Sequence, residues 1–251
     1  MSNFLQSAED WFLDLKAEFI LNFIEKDRWK LLVDGLWATL RITFFSLIIG
    51  IVIGVVVAAV RSTFDKNKEA MKKKGGLGYF CISFVNALCK LYLTIVRGTP
   101  MVVQLLIMYF VIFASSRNGE MIAIISFGIN SGAYVAEIIR GGIMSTDNGQ
   151  FEAGRSLGFN YPQTMFYIVL PQAFKTVLPS LCNEFIVLIK ETSIAGYVGI
   201  TDLTKAGDII RGRTFSAFMP LIAVAIVYLV LVVILTQLVG VLERRLRKSE
   251  R

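Results

Sequence analysis

Thr214–Leu242 is a run of 29 residues without one charged side chain, closed by the basic stretch Glu243-Arg-Arg-Leu-Arg-Lys248. As a helix rising ~1.5 Å per residue it is longer than a hydrocarbon core about 30 Å thick, and the natural solvent for such a run is a lipid bilayer. The rest of the chain agrees. Of its 251 residues 55% are hydrophobic and 18% charged, and the mean hydropathy is +0.63, far above what a soluble domain needs to cover its surface. Each crossing consumes about 20 residues, so roughly five fit, and the expected class is an all-α integral membrane protein.

The first crossing is placed at about 36–60, where Ile42–Val60 supplies 19 uncharged residues. Gly50, Gly54 and Ala58 recur every fourth residue, which flattens one face for close approach of another helix. A basic loop, Arg61–Gly78, should follow. Tyr79–Ser116 is too long for one straight crossing and is interrupted by Lys90, Arg97, Gly98 and Pro100. Pro100 has no backbone donor and disfavours helical geometry at Thr99, so a kink or break is expected there. The second crossing is placed at about 86–116, its uncharged part being Met101–Ser116. Arg97, Gly98, Thr99, Pro100 and Gln104 form the candidate kink or gate. Arg97 has two readings: a cation at the outer mouth or the kink, or a side chain snorkelling to the interface.

The third crossing, about 120–141, carries Gly128, Gly132 and Ala136 at the same four-residue spacing, with Asn130 and Ser131 beside them. Glu137 and Arg140 on this helix suggest a charge pair at the membrane boundary. The fourth, about 173–192, is the least apolar because it holds Asn183, Glu184, Lys190 and Glu191. Ionisable groups at membrane depth are expensive unless they face a cavity or one another, which makes Asn130, Ser131, Asn183, Glu184, Lys190 and Glu191 the candidates for a translocation path. Glu184, Leu188 and Glu191 share one helix face, and Asn183 and Lys190 the neighbouring one. A carboxylate there can hold an ammonium and an asparagine can bond a carboxylate. Internal pairing of Glu184 would serve the bundle instead, and both readings stand. The fifth crossing is 214–242. A segment 1–34 and a basic tail 247–251 flank the membrane domain 35–246.

Cys81, Cys89 and Cys182 sit singly in apolar stretches and the chain has no histidine, so a disulfide framework, a zinc site and a His-dependent hydrolase are not expected. The net charge of +7 is concentrated in Arg61–Lys74 and Arg244–Arg251, beside apolar runs, which suits a membrane face better than nucleic acid. The short-loop count of Lys and Arg places the N-terminus outside and the C-terminus in the cytoplasm, against which Lys205, Arg211 and Arg213 count on the outer side. Met1–Trp11 lacks the basic start of a signal peptide, so the chain is expected to keep its full length. Phe4, Ala8, Trp11, Phe12, Leu15, Phe19 and Phe23 recur at helical spacing among charges. They describe an amphipathic helix lying on the membrane surface or packing on another chain.

The cytoplasmic stretch of about 143–172 is long, amphipathic and poor in Lys and Arg. Two short helices meeting at Gly158 are its natural form, because glycine accepts positive φ after a helix end and Pro162 is tolerated in a first turn. Glu152-Ala153-Gly154, then Gly158, then Ile168-Val169-Leu170-Pro171 resembles the EAA loop of bacterial ABC importer permeases, with matching spacing. Arg97-Gly-Thr-Pro100 followed by Gln104, Asn130-Ser-Gly-Ala-Tyr-Val-Ala-Glu137, and Asn183-Glu184 leading to Lys190-Glu-Thr-Ser193 resemble the polar amino acid branch of that family. One departure is Gly154 in place of the second alanine, which should loosen the first short helix by up to about 1 kcal/mol.

The resemblance implies a type I importer permease in the bacterial inner (plasma) membrane. It would couple to the ATPase through Glu152, Ala153, Gly154, Arg155, Gly158, Leu170 and Pro171 and pair with a second permease copy or homologue. It also implies ATP-binding-cassette subunits inside and an amino-acid-binding protein outside. No Gly-x-x-x-x-Gly-Lys-[Ser/Thr] loop is present, so ATP and Mg²⁺ belong to the partner ATPase, and no cofactor, metal or catalytic residue is expected in this chain. The rival classes are an ion-coupled carrier or channel, for which the elbow serves no purpose, and an intramembrane enzyme, for which nucleophile and metal constellations are missing.

Overall fold

The computed structural model describes Trp11 and residues 13–248. Residues 1–10 and 12, which hold Phe4, Ala8 and Phe12 of the expected N-terminal amphipathic pattern, and most of the basic tail lie outside the described residues. The described part of that segment is helical over 13–19 and continues through a wide turn, Ile20–Ile24. It packs on the chain itself: Asn22 and Phe23 are buried, and the Thr214 hydroxyl donates to Asn22 Oδ1 at 2.7 Å. Phe19, Ile20 and Ile24 are left exposed on its other side.

Helix α1, Trp29–Lys74, has 46 residues and does not stop at the basic stretch. The expected loop Arg61–Gly78 is therefore helical as far as Lys74. The reason is local: Arg61–Lys74 contains no glycine or proline and holds five lysines with Glu69, Ala70 and Met71, all of which favour helix whether or not lipid surrounds them. The helix stops at Gly75 and Gly76, whose φ values of 59° and 82° turn the chain back.

Five helices among the described residues are long and apolar enough to cross a membrane, and no strand occurs among them. Helix α2 (Gly76–Gly98) is followed by the short α3 (Met101–Ile107), which widens into the turn Met108–Ile112. Then come α4 (Gly119–Met144), the short α5 (Asn148–Ser156) and α6 (Tyr161–Thr164), and α7 (Leu170–Glu191). A tight turn, Thr192–Val198, leads to α8 (Leu203–Thr214) and α9 (Phe218–Lys248).

Helices α1 and α4 run parallel and form the central pair. A Cβ on Gly50 would meet Ser131 Oγ at 3.0 Å, and one on Gly128 would meet Ile49 Cγ2 at 2.7 Å. Gly54 lies against Val135 and Ala136, and Gly132 against Ile53. The small residues of each helix receive the branched residues of the other, which is close packing without a hydrophobic driving force from lipid.

The second crossing is discontinuous. Leu93 and Val96 of α2 pack with Val57, Ala133 and Ala136, on the side of the break toward the C-terminal end of α4. Leu105 and Met101 of α3 pack with Ile42, Ala123 and Phe127, toward the opposite end. Met101–Ser116 is thus not a crossing by itself: its helical part, Met101–Ile112, has 12 residues and spans about 18 Å, and the 23-residue α2 supplies the rest. The break between them falls in the middle of the bundle.

Candidate functional site

The broken crossing is stitched by one side chain. Pro100 cannot donate to the Val96 carbonyl four residues back, an acceptor that would otherwise be orphaned at membrane depth. Gln104 Nε2 fills that place, at 2.7 Å from Val96 O and 2.8 Å from Thr99 Oγ1. Its Oε1 accepts from Asn130 Nδ2 at 3.1 Å, which ties the break to α4. Thr99 is extended (φ −122°, ψ 146°), as a residue before proline should be. Arg97 stands at the break and not at an outer mouth, its guanidinium 5.5 Å from the centre of the Tyr134 ring. Gln104→Leu should remove the carbonyl's partner and lower stability by about 1–3 kcal/mol, read as a fall in the melting temperature of the purified protein against the parent.

Of the six candidate path residues, three lie inside the subunit. Ser131 and Asn130 are buried, and the Ser131 hydroxyl donates to Glu184 Oε1 at 2.9 Å, where Glu184 keeps 8% of its exposure. Asn183 and Lys190 lie on the other side of α7 and are exposed; Glu191 is half-buried between the two faces. With Thr176, Ser180 and Val187 they follow the 3–4 residue spacing of one helical stripe. At its lower end Thr176, Pro179, Ser180 and Asn183 line a polar pocket of about 380 Å³ with Lys175 and Glu243.

The elbow is built from local chemistry. Asp147 caps α5 by accepting from the Gly149 N–H at 2.9 Å. At the far end Phe159 N–H bonds to Gly154 O at 3.0 Å and Gly158 N–H to Arg155 O at 2.9 Å, while Gly158 takes φ 80°. This is the paired closure that a left-handed residue after the helix end permits. Asn160 and Gln163 then cap α6 reciprocally, side chain to backbone, at 3.0 and 2.9 Å.

Two features depart from expectation. The second short helix does not end before the fourth crossing: it passes through a wide turn, Met165–Val169, directly into α7, so residues 161–191 form one continuous helical rod. Pro171, unable to donate, sits in the first turn after the widening, where its missing bond is accommodated. Gly154 is buried, and a Cβ there would lie 2.7 Å from Thr164 Oγ1 and 2.8 Å from its Cγ2. It draws α5 onto α6, so the glycine tightens the elbow at the level of packing whatever it costs in helix propensity.

Phe151 and Val169 join Ile143 and Ala173 in one apolar cluster that seats the elbow on α4 and α7. Gln172 Nε2 reaches Gln150 Oε1 at 3.1 Å, and Lys66 of α1 reaches Asn148 Oδ1 at 2.8 Å with its ammonium 4.4 Å from the Phe151 ring centre. Glu152, Ala153, Arg155, Leu157 and Gly158 face outward, Leu157 with 71% of its surface free. The Glu137–Arg140 pair is present at 3.1 Å, and Asp65 of α1 joins it at 3.4 Å.

The opposite end of the bundle holds residues that the sequence reading passed over. Asp202 is fully buried and caps α8, accepting from the N–H groups of Thr204 at 2.9 Å and Lys205 at 3.2 Å. Burial pushes its carboxyl above the usual range and those two donors pull it back. An aspartate directly ahead of a helical run was the available signal. Asp208, held below its ordinary value by hydrogen bonds from Arg211 and Lys205, sits between two of the cations that count against the charge bias. Arg41 and Glu120 form a bidentate pair at 2.5 and 2.8 Å across α1 and α4.

Residues 77–248 match the family described as the binding-protein-dependent transport system inner membrane component. The chain is 35% identical over 232 residues to a putative glutamine transport system permease protein of Rickettsia bellii (strain RML369-C), covering 91% of this chain and 98% of that one. It is 34% identical over 223 residues to an arginine transport system permease protein of Bacillus subtilis (strain 168), covering 87% and 94%. A crystal structure of an amino acid ABC transporter with histidines superimposes with a TM-score of 0.76 at 35% identity, covering 89% of this chain and 98% of that one. The chain therefore belongs to the inner membrane component family of binding-protein-dependent transport systems: it is a multi-pass permease subunit of an ABC importer, and its homologues serve amino acid transport.

Proposed function

We propose that this chain forms one half of the translocation path of an importer for polar amino acids. In this reading the elbow end is cytosolic, an ATP-binding-cassette subunit docks on Glu152–Gly158, and an external amino-acid-binding protein docks at the Asp202 end. A second permease, a copy or a homologue, completes the path, and ATP and Mg²⁺ are bound by the ATPase alone. The observation that carries the reading is the continuity of the elbow with α7. A push on α5 passes through the Gly154–Thr164 contact into α6 and from there, without a flexible joint, into the helix that displays Asn183 and Lys190. Rocking that rod alternates which side the polar stripe faces. Charged and amide groups exposed at membrane depth need water or a partner, which a cavity between two permeases supplies.

The carboxylate of Glu184 and the hydroxyl of Ser131 then serve to hold α7 on α4, and the cargo meets the Asn183 and Lys190 face. The test is reconstitution in proteoliposomes with the ATPase and binding protein encoded beside this chain, and uptake of labelled glutamine, arginine and cystine. Uptake should require ATP and the binding protein and should fall at least about tenfold when Asn183 and Lys190 are both made leucine. Uptake driven by an ion gradient without ATP would overturn the reading in favour of a carrier.

A further inference from the structure

Between α1, α2 and α4 lies a pocket of about 500 Å³ that neither the elbow nor the path uses, bounded by Arg61, Lys90, Arg97 and Glu137. Its charges do not balance. Three cations surround one carboxylate, and that carboxylate already accepts from Arg140 Nη2 at 3.1 Å. Arg61 Nε is buried and has no hydrogen-bond partner among the described residues. Cations at this depth are costly unless an anion or water meets them.

The position of the pocket narrows the anion. Arg61 closes the uncharged run of α1, so the Arg61–Lys90 end of the pocket lies where the hydrocarbon ends and lipid phosphates begin, while its Arg97 end reaches inward to the break. Lys90, Thr94 and Arg97 share one face of α2, and the adjoining face carries Leu88, Leu91 and Ile95, exposed by 49%, 55% and 54%. A polar pocket with an apolar, outward-facing rim beside it fits a molecule with a charged head and a hydrocarbon body better than a soluble ion. Phosphates lie at this level in either leaflet, whichever way round the chain is inserted.

We propose that the outer end of this pocket holds the headgroup phosphate of an anionic phospholipid, gripped by Arg61 and Lys90, with the acyl chains along Leu88, Leu91 and Ile95. Basic pockets between membrane helices take such headgroups. Filling it would clamp α2 to α1 on the approach to the Arg97–Pro100 break.

The complete transporter in phosphatidylcholine nanodiscs containing a minor share of phosphatidylglycerol is the material for the test, with retained lipids counted by native mass spectrometry. Phosphatidylglycerol should be retained above its share in the disc, and Lys90→Gln, at an exposed position that the core does not need, should reduce that retention about fivefold. Arg61→Gln should do the same, and glycerol 3-phosphate without acyl chains should fail to displace the lipid. Equal retention of the two lipids, or an unchanged count in both variants, overturns the proposal. Displacement by glycerol 3-phosphate would assign the pocket to a soluble anion, and displacement by glutamine or arginine would assign it to the cargo route; either also overturns it.

Discussion

Gly158→Val is expected to leave the protein in the membrane while cutting ATP-driven uptake at least about tenfold, with ATP hydrolysis by the partner continuing. Gly158 holds φ 80°, a region that costs an ordinary residue roughly 1–2 kcal/mol and a β-branched one more. No neighbouring atom stands within 4 Å of a Cβ built there, so the penalty is conformational and not steric. The chain escapes it by unwinding the turn, which breaks the Phe159–Gly154 and Gly158–Arg155 bonds and releases α5 from α6. The crossings are untouched, because no side chain of the bundle rests on Gly158. Hydrolysis without uptake is what a loosened joint between motor and path produces. The measurement is parallel ATPase and uptake rates in proteoliposomes, with Gly158→Ala as the milder case; normal coupled uptake in the valine variant would show that the elbow carries no force.

The second large effect is expected at Glu184, and the two substitutions there should behave differently. Glu184→Ala should lower stability by about 2–4 kcal/mol, a fall of roughly 5–10 °C in melting temperature, since it opens a cavity and leaves the buried Ser131 hydroxyl without its acceptor. Glu184→Gln keeps the shape and an oxygen to accept from Ser131 Oγ, 2.9 Å away, so it should melt near the parent temperature. If Glu184 serves packing, the glutamine variant also transports within about twofold of the parent. If its charge holds the cargo, that variant stays stable and loses uptake. Melting curves and initial uptake rates on the same preparations separate the two.

Much of the candidate site was legible because its features are local. The positive φ at Gly158 and the break before Pro100 both follow from what one residue can or cannot do with its own backbone. The less legible features are those in which distant segments meet. Gln104 was marked as part of a kink or gate, yet its task of replacing the donor that Pro100 lacks becomes visible only once α2 and α3 are laid end to end. The effect of Gly154 had the wrong emphasis for the same reason: propensity concerns the helix alone, whereas the contact with Thr164 lies across the elbow. The helical extension of α1 past Arg61 was hidden differently, because charge had been taken to end a helix when it only ends the membrane.

From its sequence alone the chain was committed to a bilayer, to five apolar helices and to an elbow turning at Gly158. Absence of charge over about 20 residues, a proline without its N–H and a glycine free to take positive φ act wherever the rest of the chain goes. Which polar residues look inward was decided by the tertiary structure. Neighbours on a helix point about 100° apart, so Asn183 and Glu184 could not both face α4. Only the packing of α7 against Ser131, 53 positions away in the chain, turned Glu184 into the bundle and left Asn183 and Lys190 outside it.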